Sequence, residues 1–204
     1  MYTPKLNRNA NIEDHKKFIH ENGFGLLINN VDGKPWATHI PMVLSEDGTR
    51  LTGHVARGNA QWKSFNTNPD VLAVFSGPHA YISSSWYDHE NVPTWNYIAV
   101  HVSGKAKITE GEETLDSLKE LTNKYEKASA CPVHVENMSP KFLEVEVRGI
   151  VSFEIQIEKI ETTYKLSQNR DDKNYKTVVE KLEERNDDGS TKIANAMKAL
   201  RPLE

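Results

Sequence analysis

Apolar residues change their spacing several times along the chain, and each change marks an element. Ile12, Phe18 and Ile19 recur at helical spacing with Asn11 and Asp14 as capping and first-turn residues, which predicts a short helix stopped at Asn22-Gly23. Residues 25–31 read as a strand ending in a turn at Asp32-Gly33, and residues 36–44 as its return. A second turn at Asp47-Gly48 leads into residues 50–55, so antiparallel strands are laid down early. Residues 59–65 read as a short helix that ends near Asn68-Pro69, because proline disfavours helical backbone in the residue before it. The run 71–75 is continuously apolar, as in a strand buried on both faces, and Gly77-Pro78 is expected to break it. Alternation over 81–87 and again over 96–108 predicts two more strands, separated by a loop at 88–93.

Helical spacing returns with Leu115, Leu118, Leu121 and Tyr125, an amphipathic helix over 111–127 that should pack on the sheet. Residues 128–140 form a loop long enough to bind something or to line an interface. Residues 142–157 alternate around Gly149 and residues 162–166 continue the pattern, which completes the sheet late in the chain. From Asp171 the period is helical, with Tyr175, Val178, Val179 and Leu182 on one face. Asp188-Gly189 is expected to separate that helix from a last one carrying Ile193, Ala196, Met197 and Leu200. Many strands joined by tight turns favour a mainly β, α+β fold: an antiparallel barrel with helices outside, rather than a parallel βαβ sheet. The expected organisation is one main domain over 1–170, with a helical appendage over 171–202 packed on it. The pair Leu203-Glu204 resembles residues left by cloning.

Composition narrows the classes. The chain has 204 residues, 37% hydrophobic and 26% charged, enough for one sizeable core. No apolar run approaches the roughly 18 residues needed to span a bilayer. Met1-Tyr2-Thr3-Pro4-Lys5 lacks the apolar stretch of a secretory signal, and the single Cys131 cannot pair within the chain, so a cytoplasmic location is expected. With 29 acidic and 25 basic residues the net charge is −4, which gives no overall attraction to phosphate backbones. The basic stretches around Lys16-Lys17 and 173–181 are interleaved with acids and read as solvated helix faces, so DNA contact would need a local basic face. The eight histidines are scattered without a helical i, i+4 pair, which argues against a metal site. Gly-x-Ser-x-Gly, Gly-x-Gly-x-x-Gly and P-loop motifs are all missing, which argues against hydrolase-elbow and Rossmann chemistry.

Four segments could carry binding chemistry, and they are expected to converge on one site for an anionic, flat aromatic cofactor. In the first, a strand ends at His54 and Arg57, Gly58 permits an unusual backbone angle, and a helix opens at Asn59 with Gln61 and Trp62. Helix amino termini bind phosphate and Arg57 could add a bidentate contact. The same residues also read as an Asn59 cap with Arg57 in a surface ion pair. In the second, Tyr81, Ser83, Ser85 and Tyr87 share one strand face while Ile82, Ser84 and Trp86 share the other. Hydroxyls flanked by aromatics suit the polar edge and flat face of a ligand, although an exposed tyrosine ladder would look alike. The third holds Trp95, which also suits a core, and Asn96, whose amide can donate and accept toward an oxidised heterocycle such as a flavin. The fourth holds Lys165, Gln168, Asn169 and Arg170; Asn169 as a plain cap before Asp171 and Asp172 explains part of it.

These segments, with Gly77-Pro78-His79-Ala80 and Thr38-His39-Ile40-Pro41, resemble the PaiB family of FMN-binding negative transcriptional regulators in order and approximate spacing along nearly the whole chain. The resemblance implies an antiparallel split β-barrel of the FMN-binding type with C-terminal helices. It also implies a homodimer with FMN at the subunit interface, contacted from both chains. By position it puts Arg57, Asn59, Gln61 and Trp62 at the phosphate with His54 nearby, and Tyr81, Ser83, Ser85, Trp86, Trp95 and Asn96 along the ring or ribityl chain. Lys165, Gln168, Asn169 and Arg170 would complete the pocket, from this or the partner subunit. Ala60 and Ser84 stand where the family tends to have proline, which loosens the backbone without removing chemistry, and Cys131-Pro132 replaces what is often Pro-Trp.

The function implied is a cytoplasmic repressor of protease and sporulation genes. The helix from Asp171 mixes Lys with Asp and Glu, unlike a basic recognition helix, which points to indirect repression. Two other readings stay open: a flavin reductase or FMN-dependent oxidoreductase, and a flavin or redox sensor without turnover.

Overall fold

The computed structural model describes residues 1–203; Glu204, half of the pair read as left by cloning, lies outside them. Strand β1 (Phe24–Val31) turns into β2 (Lys34–Leu44) through Asp32 and Gly33, whose φ angles of 51° and 79° twist a two-residue hairpin as the right-handed strands require. Phe24 to Val31 pair antiparallel with Pro41 to Lys34, and β2 pairs in turn with β3 (Arg50–Ala56). Four further stretches precede the late sheet: β4 (Asp70–Ile82), β5 (Thr94–Thr109), α2 (Glu112–Glu126) and α3 (Pro140–Arg148), with α1 (Ile12–Glu21) ahead of β1. Strand β6 (Ile150–Lys165) and helices α4 (Asp172–Arg185) and α5 (Asp188–Leu200) complete the described chain. Six antiparallel strands with five α-helices among the described residues, in the closed order β1-β2-β3-β6-β5-β4, give the barrel with flanking helices expected from the sequence.

The chain packs as two compact units. One comprises Lys16–Phe75 and His101–Ile160 and contains β1 to β3, α2, α3 and the adjoining parts of β4, β5 and β6. Its core alternates along β1 and β3, while β2 and β6 also bury neighbouring residues: Leu27, Met42, Leu51, Phe75, Phe153 and Ile155 are fully buried, and Phe65 meets Phe153 edge-on at 5.5 Å. Gly104 is required where β5 passes β6, because a Cβ there would lie 2.2 Å from the Gln156 carbonyl oxygen.

The other unit comprises Met1–His15, Ser76–Val100 and Glu161–Glu204. In it Tyr175, Val178, Val179 and Leu182 of α4 and Ile193, Ala194 and Met197 of α5 are buried, and the Tyr175 hydroxyl donates to the Met197 carbonyl over 2.8 Å. Of the apolar residues read for α5, Ala196 is half-buried and Leu200 exposed. Left-handed Asn186 ends α4 and Asp187 caps α5, so the break falls just ahead of the expected Asp188-Gly189.

Several sequence expectations are corrected. Strand β4 runs through Gly77-Pro78, since proline's fixed angle suits extended backbone, and only Val71, Ala73 and Phe75 of the run 71–75 are buried. The strand expected over 81–87 stops at Ile82, because the Ser83 hydroxyl turns on the chain's own Ser85 N–H at 3.2 Å and starts a 3-10 turn at Ser84–Trp86. The shared face of Tyr81, Ser83, Ser85 and Tyr87 therefore does not exist: Tyr81 is exposed and Tyr87 buried. Residues 142–148 are helical, not a strand, because Ser139 caps Phe142 N–H and Pro140 opens the first turn, and these start signals override the β-branched pattern. The helix over 59–65 is a five-residue 3-10 turn, Ala60–Ser64, and Gly58 has no positive φ. Helix α2 buries Thr114 and Ser117, whereas its leucines are half-buried and Tyr125 is 51% exposed.

Candidate functional site

The first set of site residues lies in the unit of Lys16–Phe75 and His101–Ile160. Strand β3 carries His54 opposite Ser152 of β6, half-buried, and burial pushes its imidazole below the ordinary histidine value. It is therefore neutral near pH 7 and adds no positive charge. Arg57 follows as the strand ends. Its Nε donates to the Arg148 carbonyl at 2.6 Å and its Nη2 to the Ile150 carbonyl at 2.7 Å, while its backbone N–H meets Gly149 O at 2.8 Å. The Trp62 indole N–H donates to Arg57 O over 3.0 Å, so side chain and backbone are both held. A guanidinium has five N–H donors, and these contacts leave three for an anion.

Asn59 caps Gln61 N–H at 3.0 Å and donates to the Thr38 hydroxyl at 2.9 Å. Gln61 itself is fully buried and donates to the Leu27 carbonyl at 3.0 Å, which makes it a peg between the turn and β1. Because the turn after Asn59 is a single 3-10 turn, it supplies little of the dipole expected there, and anion binding in this set rests on Arg57.

The second set lies in the other unit. Trp95 on β5 is 53% exposed, with the Tyr81 ring edge-on at 5.8 Å and the His79 ring at 5.9 Å, and the Arg185 guanidinium lies 6.0 Å over the Tyr81 ring. Ser83 and Ser85 bond each other at 2.8 Å and stay open to solvent on their remaining sides. Trp86 is covered by the Arg185 guanidinium, 4.5 Å from its ring, and Arg185 also donates to Tyr81 O at 2.7 Å. Arg185 is absent from the sequence reading; it lies in the last turn of a helix that reads as solvated, and only folding brings it to Trp86.

Other members of this set are occupied within the chain. Asn96 has no exposed surface: its amide nitrogen donates to the Ser167 hydroxyl at 3.0 Å and its oxygen accepts from that hydroxyl at 3.2 Å. Gln168 bridges its own backbone, accepting from Leu166 N–H at 2.8 Å and donating to Tyr164 O. Lys165 donates to the Thr94 hydroxyl, and Arg170 stacks on Tyr87 at 4.7 Å. Asn169 is exposed, and Asp171, not Asn169, caps α4.

The structure thus sorts the expected residues into an anion-donor set and an aromatic, hydroxyl-bearing set, one in each unit. A phosphate and a flat heterocycle call for those two chemistries. Among the described residues no helix is long and apolar enough to cross a membrane.

Residues 1–159 match the family described as "Putative FMN-binding domain". The Protease synthase and sporulation protein PAI 2 of Bacillus subtilis (strain 168) is 46% identical over 199 residues, 97% of this chain and 96% of that one. Among solved structures, the FAD and heme binding protein from Mycobacterium smegmatis is similar with a TM-score of 0.59 at 12% identity, over 78% of this chain and 73% of that one. The flavocytochrome from Azotobacter vinelandii reaches 0.57 at 16% identity, over 76% and 68%. At these identities the two structures share the fold alone.

Proposed function

This chain belongs to the FMN-binding family that its residues 1–159 match, and from that premise we propose that it is an FMN-binding negative transcriptional regulator associated with repression of protease and sporulation genes. The observation that carries the reading is the 46% identity to PAI 2 running almost end to end in both chains. FMN is the cofactor of the family, and the donor chemistry fits it. Each unit by itself offers part of that chemistry: in one, Arg57 has free guanidinium N–H groups for a phosphate, and in the other the exposed face of Trp95 suits a flat ring, with Ser83 and Ser85 hydroxyls for a polar edge. Asn96 and Gln61 serve their own units by fixing β5 and the turn after β3, since both side chains are enclosed. The working form is a cytoplasmic homodimer with FMN contacted from both subunits, and repression is indirect, in keeping with the net charge of −4.

The test is to titrate the purified protein with FMN, follow flavin fluorescence, and measure protease and sporulation promoter activity in a deletion strain complemented with wild type or with Arg57→Ala. Saturable FMN binding together with derepression that only the wild type reverses supports the reading. A protein that leaves flavin fluorescence unchanged, or a deletion without effect on those promoters, overturns it.

A further inference from the structure

The unit of Lys16–Phe75 and His101–Ile160 carries an apolar surface that the flavin reading does not use. Helix α3 has four large apolar residues, Phe142, Leu143, Val145 and Val147, yet none of its residues is buried. Phe142 is 51% and Val145 57% exposed. Between α2 and α3 lies a groove of about 620 Å³ walled by Leu115, Val135, Met138, Leu143 and Val147. It follows α2 from its cap Gly111 to Lys119, about two helical turns.

The charge around the groove is one-sided. Glu112, Glu136 and Glu144 stand at its edge with a single lining cation, Lys119; Lys119 is paired with Asp116 at 2.9 Å and Glu144 with Arg148, which leaves Glu112 and Glu136 as the rim's unbalanced charge. Residues 110–148 contain nine acidic and five basic residues, an excess equal to the net charge of −4 of the entire chain. An apolar trough with an acidic rim complements a helix that has aliphatic residues on one face and lysine or arginine beside them. Phe142 and Val145, also exposed, lie on the far side of α3 and do not line the groove. A second copy complements the groove less well: the apolar faces of its α4 and α5 and of most of α1 are buried, leaving Ile12 and Leu200, and its exposed α3 carries Lys141, Glu144, Glu146 and Arg148 and so brings no net positive charge to an acidic rim.

We propose that the α2–α3 groove docks a basic amphipathic helix of a partner protein. For a regulator without a basic DNA-reading helix, this surface is a route to a partner that has one.

The test uses the full-length protein and a fluorescein-labelled model peptide of leucine and lysine in helical register, against the same peptide with glutamate for lysine. The expected result is saturable, salt-sensitive binding of the lysine peptide, at least about tenfold tighter than the glutamate peptide, with hydrogen-exchange protection confined to α2 and α3. Leu143→Asp should abolish it. Because that change could disturb α3, the exposed pair Glu112→Gln with Glu136→Gln provides the second arm, with an expected loss of about three- to tenfold. Equal binding of both peptides, no effect of the glutamine pair, or protection elsewhere overturns the proposal. So does self-association that Leu143→Asp removes and the lysine peptide cannot compete, which would assign the groove to a second copy. Neither arm depends on FMN, so failure here and failure of the flavin reading are separate results.

Discussion

Arg57 is fastened to the end of helix α3 through Arg148: its Nε donates to the Arg148 carbonyl oxygen at 2.6 Å, and Nη2 donates to the carbonyl of Ile150, the first residue of β6, at 2.7 Å. A cation on the last carbonyls of a helix satisfies acceptors that have no intrahelical donor and offsets the negative end of the dipole. The residue chosen from sequence as a phosphate contact is therefore also a helix cap. The two roles are compatible because a guanidinium has more donors than either needs.

Arg57→Ala should have two separable effects. Loss of charge-assisted hydrogen bonds, about 1.5–3 kcal/mol each at most, should weaken FMN binding by ten- to a hundredfold. Amide exchange in the last turn of α3 should accelerate even without flavin. Arg57→Lys should restore part of the affinity but not the protection, since an ammonium lacks the fork. Unchanged FMN affinity in Arg57→Ala would remove Arg57 from the site.

Trp95 is expected to behave as a ligand residue and not as a core residue. At 53% exposure, Trp95→Ala should leave the melting temperature nearly unchanged, within about 0.5 kcal/mol of stability. It should lower FMN affinity several-fold, by about 1 kcal/mol of lost ring contact, and relieve quenching of the bound flavin. A large fall in melting temperature with intact binding would show the opposite assignment.

Asn96 should show the reverse pattern. Its side chain is closed off against Ser167, which sits at φ 61° and is held there by the reciprocal amide–hydroxyl pair. Asn96→Ala strands a buried hydroxyl and opens space, with an expected cost of about 1–3 kcal/mol. Thermal unfolding should register that loss, and FMN affinity measured well below the new melting temperature should change little. If affinity collapses at unchanged stability, Asn96 faces the ligand.

His54 sets a pH dependence of known sign. Burial lowers its folded value below the ordinary 6.5, so the unfolded chain takes up a proton first as pH falls. The stability due to neutral His54 is complete above pH 6.5 and declines as pH drops from there toward the folded value. Urea midpoints from pH 7.5 to 5.5 should show this decline, and His54→Gln should flatten it. A midpoint that rises on acidification through that range contradicts the burial argument.

Much of the fold was legible because the signals were local. Asp32-Gly33 and Asp47-Gly48 are turn chemistry that fixes hairpins without reference to the rest of the chain, and the helical period through Tyr175 and Leu182 names a buried face directly. The errors came where two local signals competed. At 139–148 a serine cap and Pro140 outweighed β-branched alternation, and at 83–86 a serine's bond to its own backbone ended a strand that alternation would have continued.

The candidate site divides the same way. The sequence alone determined which segments carry donors and aromatics, and hence the family and its FMN chemistry, because residue type and order suffice for that. Tertiary structure decided which of those side chains remain free. It enclosed Asn96 and Gln61, left Trp95 open, brought Arg185 onto Trp86, and tied Arg57 to the carbonyls of Arg148 and Ile150. The physical reason is that burial and hydrogen-bond partnership are set by residues distant in sequence, and periodicity along one strand carries no information about what the fold lays against it.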